Sequence, residues 1–266
     1  MAVVGIWIAL DRASADAAAS GMTEKITPTF LIGYVVKSVI APTWFAADQL
    51  KRWRPTMAGK RRVIVFLNTF YLVVAIASAL AVFAFADKLT KLQPADWHIF
   101  PLLGPTCWHL ASLVWAFFLW SRCTEVFYAF YRDAIAKLSC DDKSQSDLTW
   151  PLRLQLALRS YVELILDFAL LYALLPAEFW KQNAGPARFT ELLSYSATTI
   201  TTSGAGTLVA VHPALQLLSA YEIFCGVILL VVSFAIYTSR GLGGVPVHPR
   251  LPPAPAPAPT QDEAAA

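Results

Sequence analysis

The chain has 266 residues, of which 57% are hydrophobic and only 15% are charged. Because this composition is too apolar for an ordinary soluble domain of the same length, it predicts an all-α protein that lies in a membrane. The net charge of +3 is small, and the basic residues are dispersed among loops rather than gathered in a tract, which argues against a nucleic-acid partner.

The cysteine and histidine residues show no spacing that is typical of a metal site. The cysteines form no CxxC pair, so we expect free thiols, no metal ligands and no cofactor. The sequence also shows no arrangement of a nucleophile, a base and an orienting group, and we therefore expect no enzymatic activity and no small-molecule substrate. The four cysteines are Cys107, Cys123, Cys140 and Cys225.

The first hydrophobic run covers residues 26–47 and contains Lys37 as well as two prolines. A charge and prolines at these places leave three possibilities open: the run crosses the membrane, re-enters it, or lies in the interface. Residues 1–62 are accordingly expected to form an N-terminal hydrophobic or interfacial segment followed by a basic cytoplasmic loop.

Four later runs are long enough to cross a hydrocarbon core, which needs about 20 apolar residues of helix. They predict four transmembrane helices, or five if residues 26–47 also cross. The first two make up a unit at residues 63–150, with a helical extension into the cytoplasm over residues 123–138. The runs are 63–86 and 99–121, which carry no charge, 160–177, which carries Glu163 and Asp167, and 214–239, which carries Glu222.

The basic residues of the short loops predict the orientation of these spans. Lys and Arg are frequent before the first clean span and between the second and third, and they are sparse in residues 87–98 and 178–213. Since cytoplasmic loops accumulate Lys and Arg, the sparse loops should lie outside and the C-terminus in the cytoplasm. The tail 241–266, rich in Pro and Ala, should be extended and disordered.

Glu163 and Asp167 stand four residues apart in the predicted third span. Carboxylates inside a membrane are costly and need a reason. One interpretation is a relay for protons or ions; the other, which we favour, is structural pairing with Arg159 or with the first two helices.

The most informative stretch is TTITTSGAGT at residues 198–207, which follows a predicted helix at 189–200 that is too short to cross. Irregular backbone at membrane depth is tolerated only where it is buried in protein or lines water. Gly204 and Gly206 permit positive φ values, so that successive carbonyl groups can face one side and replace the hydration shell of an ion. The negative end of the short helix would favour a cation there. The predicted coordinating residues are Thr202, Ser203, Gly204, Ala205 and Gly206.

Residues 160–239 resemble the two-helix pore module of the potassium-channel superfamily, in which an outer helix, a pore helix, a filter and an inner helix follow one another. The filter of that family reads Thr-Thr-Val/Leu-Gly-Tyr-Gly-Asp, and this chain has TTSGAGT at 201–207 and SAYEIFCG at 219–226. The resemblance implies a pore module at residues 151–240. It also assigns Glu222 to the acidic position beside the pore helix and Gly226 to the inner-helix glycine, a bending point during gating.

Three filter positions depart from the family pattern: Ser203, Ala205 and Thr207 stand where Val or Leu, Tyr and Asp are usual. In the family, the Tyr ring packs behind the filter and holds its diameter, which Ala205 cannot do, although Tyr195 remains on the pore helix. The carbonyl geometry should therefore be looser, and the missing Asp should weaken the attraction of cations from outside. Residues that support the filter would be Thr201, Tyr195, Thr207 and Glu222.

The resemblance implies a homotetramer, because one chain supplies one loop and such a filter needs four. The expected function is a pore-forming subunit of a cation channel in the bacterial inner membrane, which passes potassium or several monovalent cations passively. The alternative is a non-conducting membrane scaffold or regulatory subunit that keeps the channel fold. On its own, the Gly, Ser and Thr string would also suit a surface for close helix packing.

Overall fold

The computed structural model describes residues 41–53, 56–89, 105–138, 148–181, 188–204, 208–235 and 238. Most of the first hydrophobic run and the whole Pro/Ala-rich tail lie outside these ranges. Three residues of the predicted site also lie outside them, namely Ala205, Gly206 and Thr207.

Helices make up nearly all of the described chain, as the composition predicts. This agrees with the all-α expectation, and the only strands among the described residues form a two-residue antiparallel ribbon between the ends of two helical segments. A single-turn 3₁₀ helix at Ala177–Phe179 precedes the ribbon, and a π-helix at Val227–Phe234 continues the last α-helix. The elements are α1 Pro42–Arg52, α2 Met57–Leu89, α3 Pro105–Leu138, α4 Trp150–Ala173, β1 Trp180–Lys181, α5 Phe189–Ile200, β2 Val209–Ala210 and α6 Pro213–Gly226.

Three of the described helices are long and apolar enough to cross a membrane, so the chain is an α-helical membrane protein. The candidate spans are Ala58–Ala84, Leu110–Ile135 and Pro213–Leu230. The second lies later in the chain than the predicted run 99–121, because α3 continues without a break to Leu138. The predicted span 160–177 corresponds to α4, which is not among the three and which carries Arg159, Glu163 and Asp167.

Helix α4 lies in the middle of the bundle and packs against α2, α3, α5 and the π-helix. Its buried residues recur every three to four positions along most of its length, the spacing of a face that meets other helices. Ser160, Glu163 and Asp167 belong to this buried face. The charges that distinguish α4 from the candidate spans are therefore directed mainly into the protein.

A buried ion pair joins α4 to α3. The guanidinium of Arg122 binds both carboxylate oxygens of Glu163, with distances of 2.5 Å from Nε to Oε1 and 3.1 Å from Nη2 to Oε2. Glu125 Oε2 lies 2.9 Å from Arg122 Nη1, within ion-pair distance but without the alignment of a hydrogen bond. The same guanidinium stacks 4.1 Å above the ring of Tyr71 on α2. Glu163 thus pairs with α3, the second membrane helix. The sequence had left two structural partners open, Arg159 and the first two helices.

Arg159, the other predicted partner, does not contribute to this pairing. Its Nη1 donates to Thr69 Oγ1 on α2 at 3.0 Å. Asp167 is only 3% exposed, and its Oδ2 has no hydrogen-bond partner among the described residues. Structural pairing is therefore confirmed for Glu163, and for Asp167 it stays a prediction.

Two contacts fix the relative depth of α2 and α4. Asn68 Nδ2 on α2 donates to Ser160 Oγ on α4 at 2.7 Å. Three residues further along each helix, Tyr71 and Glu163 both contact the guanidinium of Arg122. The two helices therefore run parallel and in register. Tyr71 lies at the middle of the candidate span Ala58–Ala84, so Glu163 lies near the midplane of that span.

The Arg122–Glu163 pair yields a test of this packing. Replacement of Arg122 by Met should lower the free energy of unfolding by about 3–5 kcal/mol, because it leaves Glu163 buried without its countercharge. The double variant Arg122→Met with Glu163→Leu should recover most of that loss. Urea or dodecyl sulfate titration of the purified chain, followed by circular dichroism, measures both. Arg132→Met, at an exposed arginine of the same helix, should change stability by less than about 0.5 kcal/mol; a double variant no more stable than the single one would contradict the pairing.

Candidate functional site

Helix α5 covers Phe189–Ile200, which are the bounds that the sequence predicts for the short helix. Its first turn is closed by Glu191, whose Oε2 accepts from the backbone N–H of Arg188 at 3.0 Å, one half of a capping box. One face of the helix packs into the bundle and the other remains partly open. The buried residues are Phe189, Leu192, Tyr195, Ser196 and Ile200.

Tyr195 packs behind the helix in a cluster of three aromatic rings. Its ring centroid lies 5.3 Å from that of Tyr172 and 5.0 Å from that of Trp180, both in edge-to-face geometry. Such pairs stabilise by about 0.5–1.5 kcal/mol beyond the burial of area. The Tyr195 hydroxyl also lies 2.9 Å from Ser219 Oγ on α6. Tyr195 therefore joins the short helix to α4, β1 and α6.

Glu222 on α6 is fully buried and accepts two hydrogen bonds from neighbouring helices. The hydroxyl of Tyr172 on α4 donates to its Oε2 at 2.6 Å, and the hydroxyl of Ser196 on α5 donates to its Oε1. The contact between Glu222 and the short helix, which the sequence led us to expect, is present. Because a buried carboxylate without donors is costly, these hydroxyls allow Glu222 to hold three helices together.

The depth at which α5 ends follows from its contacts. Ser196 Oγ also lies 2.9 Å from the carbonyl oxygen of Ile165, two residues beyond Glu163. Ser196 contacts Glu222 on α6, and Ile200, four residues later, contacts Gly226, which is also four residues after Glu222. The two segments therefore run in the same direction. The C-terminal end of α5 therefore lies near the midplane of the span in α2.

Gly226 allows the closest approach at this site. A Cβ atom at this position would lie 2.5 Å from the carbonyl oxygen of Ile200 and 2.7 Å from its Cγ1. The absence of a side chain thus lets the last turn of α5 rest on α6. The π-helix begins at the next residue, Val227, so Gly226 also marks a change in the hydrogen bonding of the last helix.

The chain after α5 closes the helix with a Schellman motif. The N–H of Thr202 donates to the carbonyl of Thr199, and the N–H of Ser203 donates to that of Thr198, each at 3.0 Å. Thr202 has φ of 56°, where glycine is the usual residue, and Gly204 has φ of 104°. The positive φ predicted for Gly204 is confirmed; that of Thr202 was not predicted, and Gly206 lies outside the described residues.

Thr201, Thr202, Ser203 and Gly204 are all exposed in the single chain, and we refer to them as the polar loop. The hydroxyls of Thr201 and Ser203 are 2.8 Å apart, and Thr201 Oγ1 also donates to the carbonyl of Ala197 at 2.8 Å. Of the predicted coordinating residues, the structure therefore brings Thr202, Ser203 and Gly204 together at the C-terminal end of α5, with Thr201 beside them.

The chain is described again from Leu208, and from there it returns to the end of α4. Ala210 in β2 pairs with Trp180 in β1, shortly after the end of α4. His212 then starts α6, its Nδ1 accepting from the N–H of Ala214 at 3.2 Å while its ring stacks 3.8 Å from that of Phe179. By Ala210, ten residues after α5 ends at Ile200, the chain is therefore beside the end of α4 again.

Three residues of this arrangement were not singled out in the sequence, namely Ser196, Tyr172 and Ser219. The signal that could have found them is Glu222 itself, because a carboxylate in an apolar segment needs donors from the helices around it. A hydroxyl on the short helix and another on the preceding helix were the available candidates.

Comparisons of the chain with protein-family models, with curated proteins and with solved structures find no match. Within the described part of the chain, no group of three His, Cys, Asp or Glu residues is placed to hold a metal ion. The geometry of the polar loop and of the helices behind it is therefore the basis for assigning a function.

The close contact at Gly226 predicts a steric effect. Gly226→Ala should lower the free energy of unfolding by about 1–3 kcal/mol, because the added methyl group must displace the last turn of α5. The exposed substitution Leu217→Ala on the same helix serves as the control and should cost less than about 0.5 kcal/mol. Chemical unfolding in detergent measures both, and equal stability of the wild-type chain and Gly226→Ala would show that α5 does not rest on α6.

The hydrogen bonds to Glu222 predict an energetic coupling between helices. Tyr172→Phe removes one donor and should destabilise the chain by about 1–3 kcal/mol. The same substitution should cost clearly less in a Glu222→Leu background, where no carboxylate is left unsatisfied. A double-mutant cycle on unfolding free energies measures this difference, and strict additivity would refute the coupling.

Proposed function

We propose that the chain is the pore-forming subunit of a homotetrameric cation channel, in which the polar loop and the three residues after it line the ion path. One observation carries this proposal: four consecutive polar or glycine residues are exposed on the surface of the chain where α5 ends. The contact of Ser196 with Ile165 leads us to place this end of α5 near the midpoint of the candidate span in α2. Lipid offers no hydrogen-bond partners at that depth, so such a loop must face water or another protein surface.

The electrostatics of the loop favour a cation. Helix α5 points its C-terminal end at the loop, and this end carries a partial negative charge of about half an elementary charge. The N–H groups of Thr202 and Ser203 turn back toward α5, which leaves their carbonyl oxygens available for an ion. Coordination by Thr202, Ser203, Gly204, Ala205 and Gly206 would follow the way in which carbonyl rings replace the hydration shell of potassium.

The proposed channel has four membrane helices in each subunit. Helix α4 is the fourth; its 24 residues reach about 36 Å, and its pairing with Arg122 offsets part of the cost of burying Glu163. Four subunits would place their polar loops around one axis in the bacterial inner membrane, with the C-terminus in the cytoplasm. Ser203, Ala205 and Thr207 differ from the residues of a strict potassium filter, so we propose passage of several monovalent cations, including potassium.

A specific observation supports the second candidate function, which is a non-conducting scaffold or regulatory subunit. The hydroxyls of Thr201 and Ser203 are hydrogen-bonded within their own chain. A loop that satisfies its own polar groups in this way can end a helix without any ion. The two candidates differ in one measurable property, the flux of ions through the assembled protein.

Gly204→Ala separates these functions. A Cβ atom at Gly204 would meet no other atom within 4 Å, but φ of 104° is strained for any residue with a side chain. We therefore expect the variant to fold and assemble while the loop changes course, with potassium flux into liposomes reduced by about tenfold or more, the effect of losing well over 1 kcal/mol of favourable ion coordination.

Ser194→Ala, an exposed position of α5 about two turns before the loop, is the matched control and should keep its flux. Gel filtration and native mass spectrometry report whether each variant still forms tetramers. Assembly without flux in the wild-type protein would favour the scaffold, and unchanged flux in Gly204→Ala would remove the loop from the ion path.

A further inference from the structure

Arg159 lies partly exposed on the outer surface of α4, among apolar side chains. Its guanidinium crosses to α2, where Nη1 donates to Oγ1 of the exposed Thr69 at 3.0 Å. Exposed apolar residues recur at helical spacing on both helices beside this contact. We refer to them, together with Arg159 and Thr69, as the α2–α4 face; they are Phe66, Val73 and Ile76 on α2 and Leu158 and Val162 on α4.

The guanidinium of Arg159 is held near the middle of the candidate span in α2. Because α2 and α4 run parallel and in register, Arg159 is level with Leu67. Its side chain therefore extends toward Thr69 and away from the nearer end of the span. Thr69 lies two residues before Tyr71, the midpoint of the span Ala58–Ala84, which is a distance of about 3 Å along the helix.

This deep cation has no countercharge within the chain. Among the described residues, no carboxylate lies within ion-pair distance of Arg159, and Thr69 is its hydrogen-bond partner. A guanidinium carries five N–H donors, so one hydroxyl leaves most of them unused. Cations inside a membrane are costly unless they pair with acidic groups or line water. The α2–α4 face therefore needs a partner that supplies negative charge at mid-depth.

Lipid and water do not meet this need. Lipid headgroups stay at the membrane surface, and the nearer end of the span, at Ala58, is about 16 Å from Thr69 along α2. Water would have to enter among exposed apolar side chains such as Phe66 and Val162, which are 65% and 47% exposed. The surroundings of Arg159 thus favour a protein partner.

A second copy of this chain does not supply the charge from its described residues. Every acidic residue in the candidate spans and in α4 is either buried or paired with an arginine. These residues are Glu125, Asp133, Glu163, Asp167 and Glu222. The partner that fits Arg159 by charge is therefore a different protein.

We propose that the α2–α4 face binds a transmembrane helix of another membrane protein, and that this helix carries an Asp or Glu at mid-depth that pairs with Arg159. A guanidinium and a carboxylate match in charge and in shape, because two parallel N–H groups meet two oxygens. Thr69 positions the guanidinium at the depth of this pairing. The apolar residues of the face pack against the partner helix and exclude water around the ion pair.

This interaction does not depend on ion conduction, because the α2–α4 face contains no residue of the polar loop. Binding can be measured on the purified full-length chain whether or not the chain conducts. The binding measurement and the flux measurement can therefore fail separately.

The test measures the binding of synthetic transmembrane peptides to the full-length chain in phosphatidylcholine vesicles. Each peptide has about 20 residues of Leu and Ala, enough to cross the bilayer, with one Glu or one Gln at its centre. A central residue lies at the same depth in either orientation of the peptide. The nine tryptophans of the chain serve as donors for energy transfer to a dansyl group on the peptide, which reports binding.

The wild-type chain should bind the Glu peptide about tenfold more tightly than the Gln peptide, an effect of the size found for strong polar contacts between membrane helices. Arg159→Gln should bind the two peptides equally. Arg159→Lys keeps the charge but lacks the paired N–H groups, and it should retain about a threefold preference. The matched control Arg132→Gln, at an exposed arginine of α3, should keep the full preference.

Equal binding of both peptides by the wild-type chain would overturn the proposal, as would an undiminished preference in Arg159→Gln. A peptide whose Glu lies about 10 Å from its centre should bind like the Gln peptide; binding as tight as that of the central Glu would show an attraction without defined depth and would also overturn it. Loss of the chain's own assembly in Arg159→Gln, measured by gel filtration without peptide, would assign the face to a second copy instead. Circular dichroism checks each fold, and the two peptides on the wild-type chain decide the question if Arg159→Gln does not fold.

Discussion

The buried carboxylate of Glu222 is the contact on which the site depends. It accepts hydrogen bonds from Tyr172 on α4 and Ser196 on α5, so three helices meet at one fully buried carboxyl group. Removing any donor would leave a polar oxygen in an apolar interior, which costs more than the hydrogen bond contributes. Together with the close approach at Gly226, this requirement holds the end of α5 at mid-depth, and the polar loop reaches the surface there.

The same physical rule shapes the centre of the bundle. Helix α4 carries acidic residues at a depth where lipid would not tolerate them, and it packs against α2, α3, α5 and the π-helix. Glu163 pairs with Arg122 from α3, and Arg159 donates to Thr69 on α2.

Local features of the site were predictable because they depend on nearby residues. Helix α5 begins and ends where the apolar spacing and the run of Thr, Ser and Gly place its bounds, and Gly204 has the positive φ that its lack of a side chain permits. The positive φ of Thr202 was not predictable in the same way, since threonine disfavours it. It arises because the Schellman motif requires a left-handed residue at that place, whichever residue stands there.

By itself, the sequence determined that the chain is an α-helical membrane protein, and it located a short helix that ends in a polar, glycine-bearing stretch. Hydrophobic length and residue type suffice for that, because both act within a single segment. Only the tertiary structure decided which arginine neutralises Glu163, which hydroxyls satisfy Glu222, and how deep α5 ends. These depend on the register between helices distant in sequence, and that register is set by the packing of whole faces, which no single segment contains.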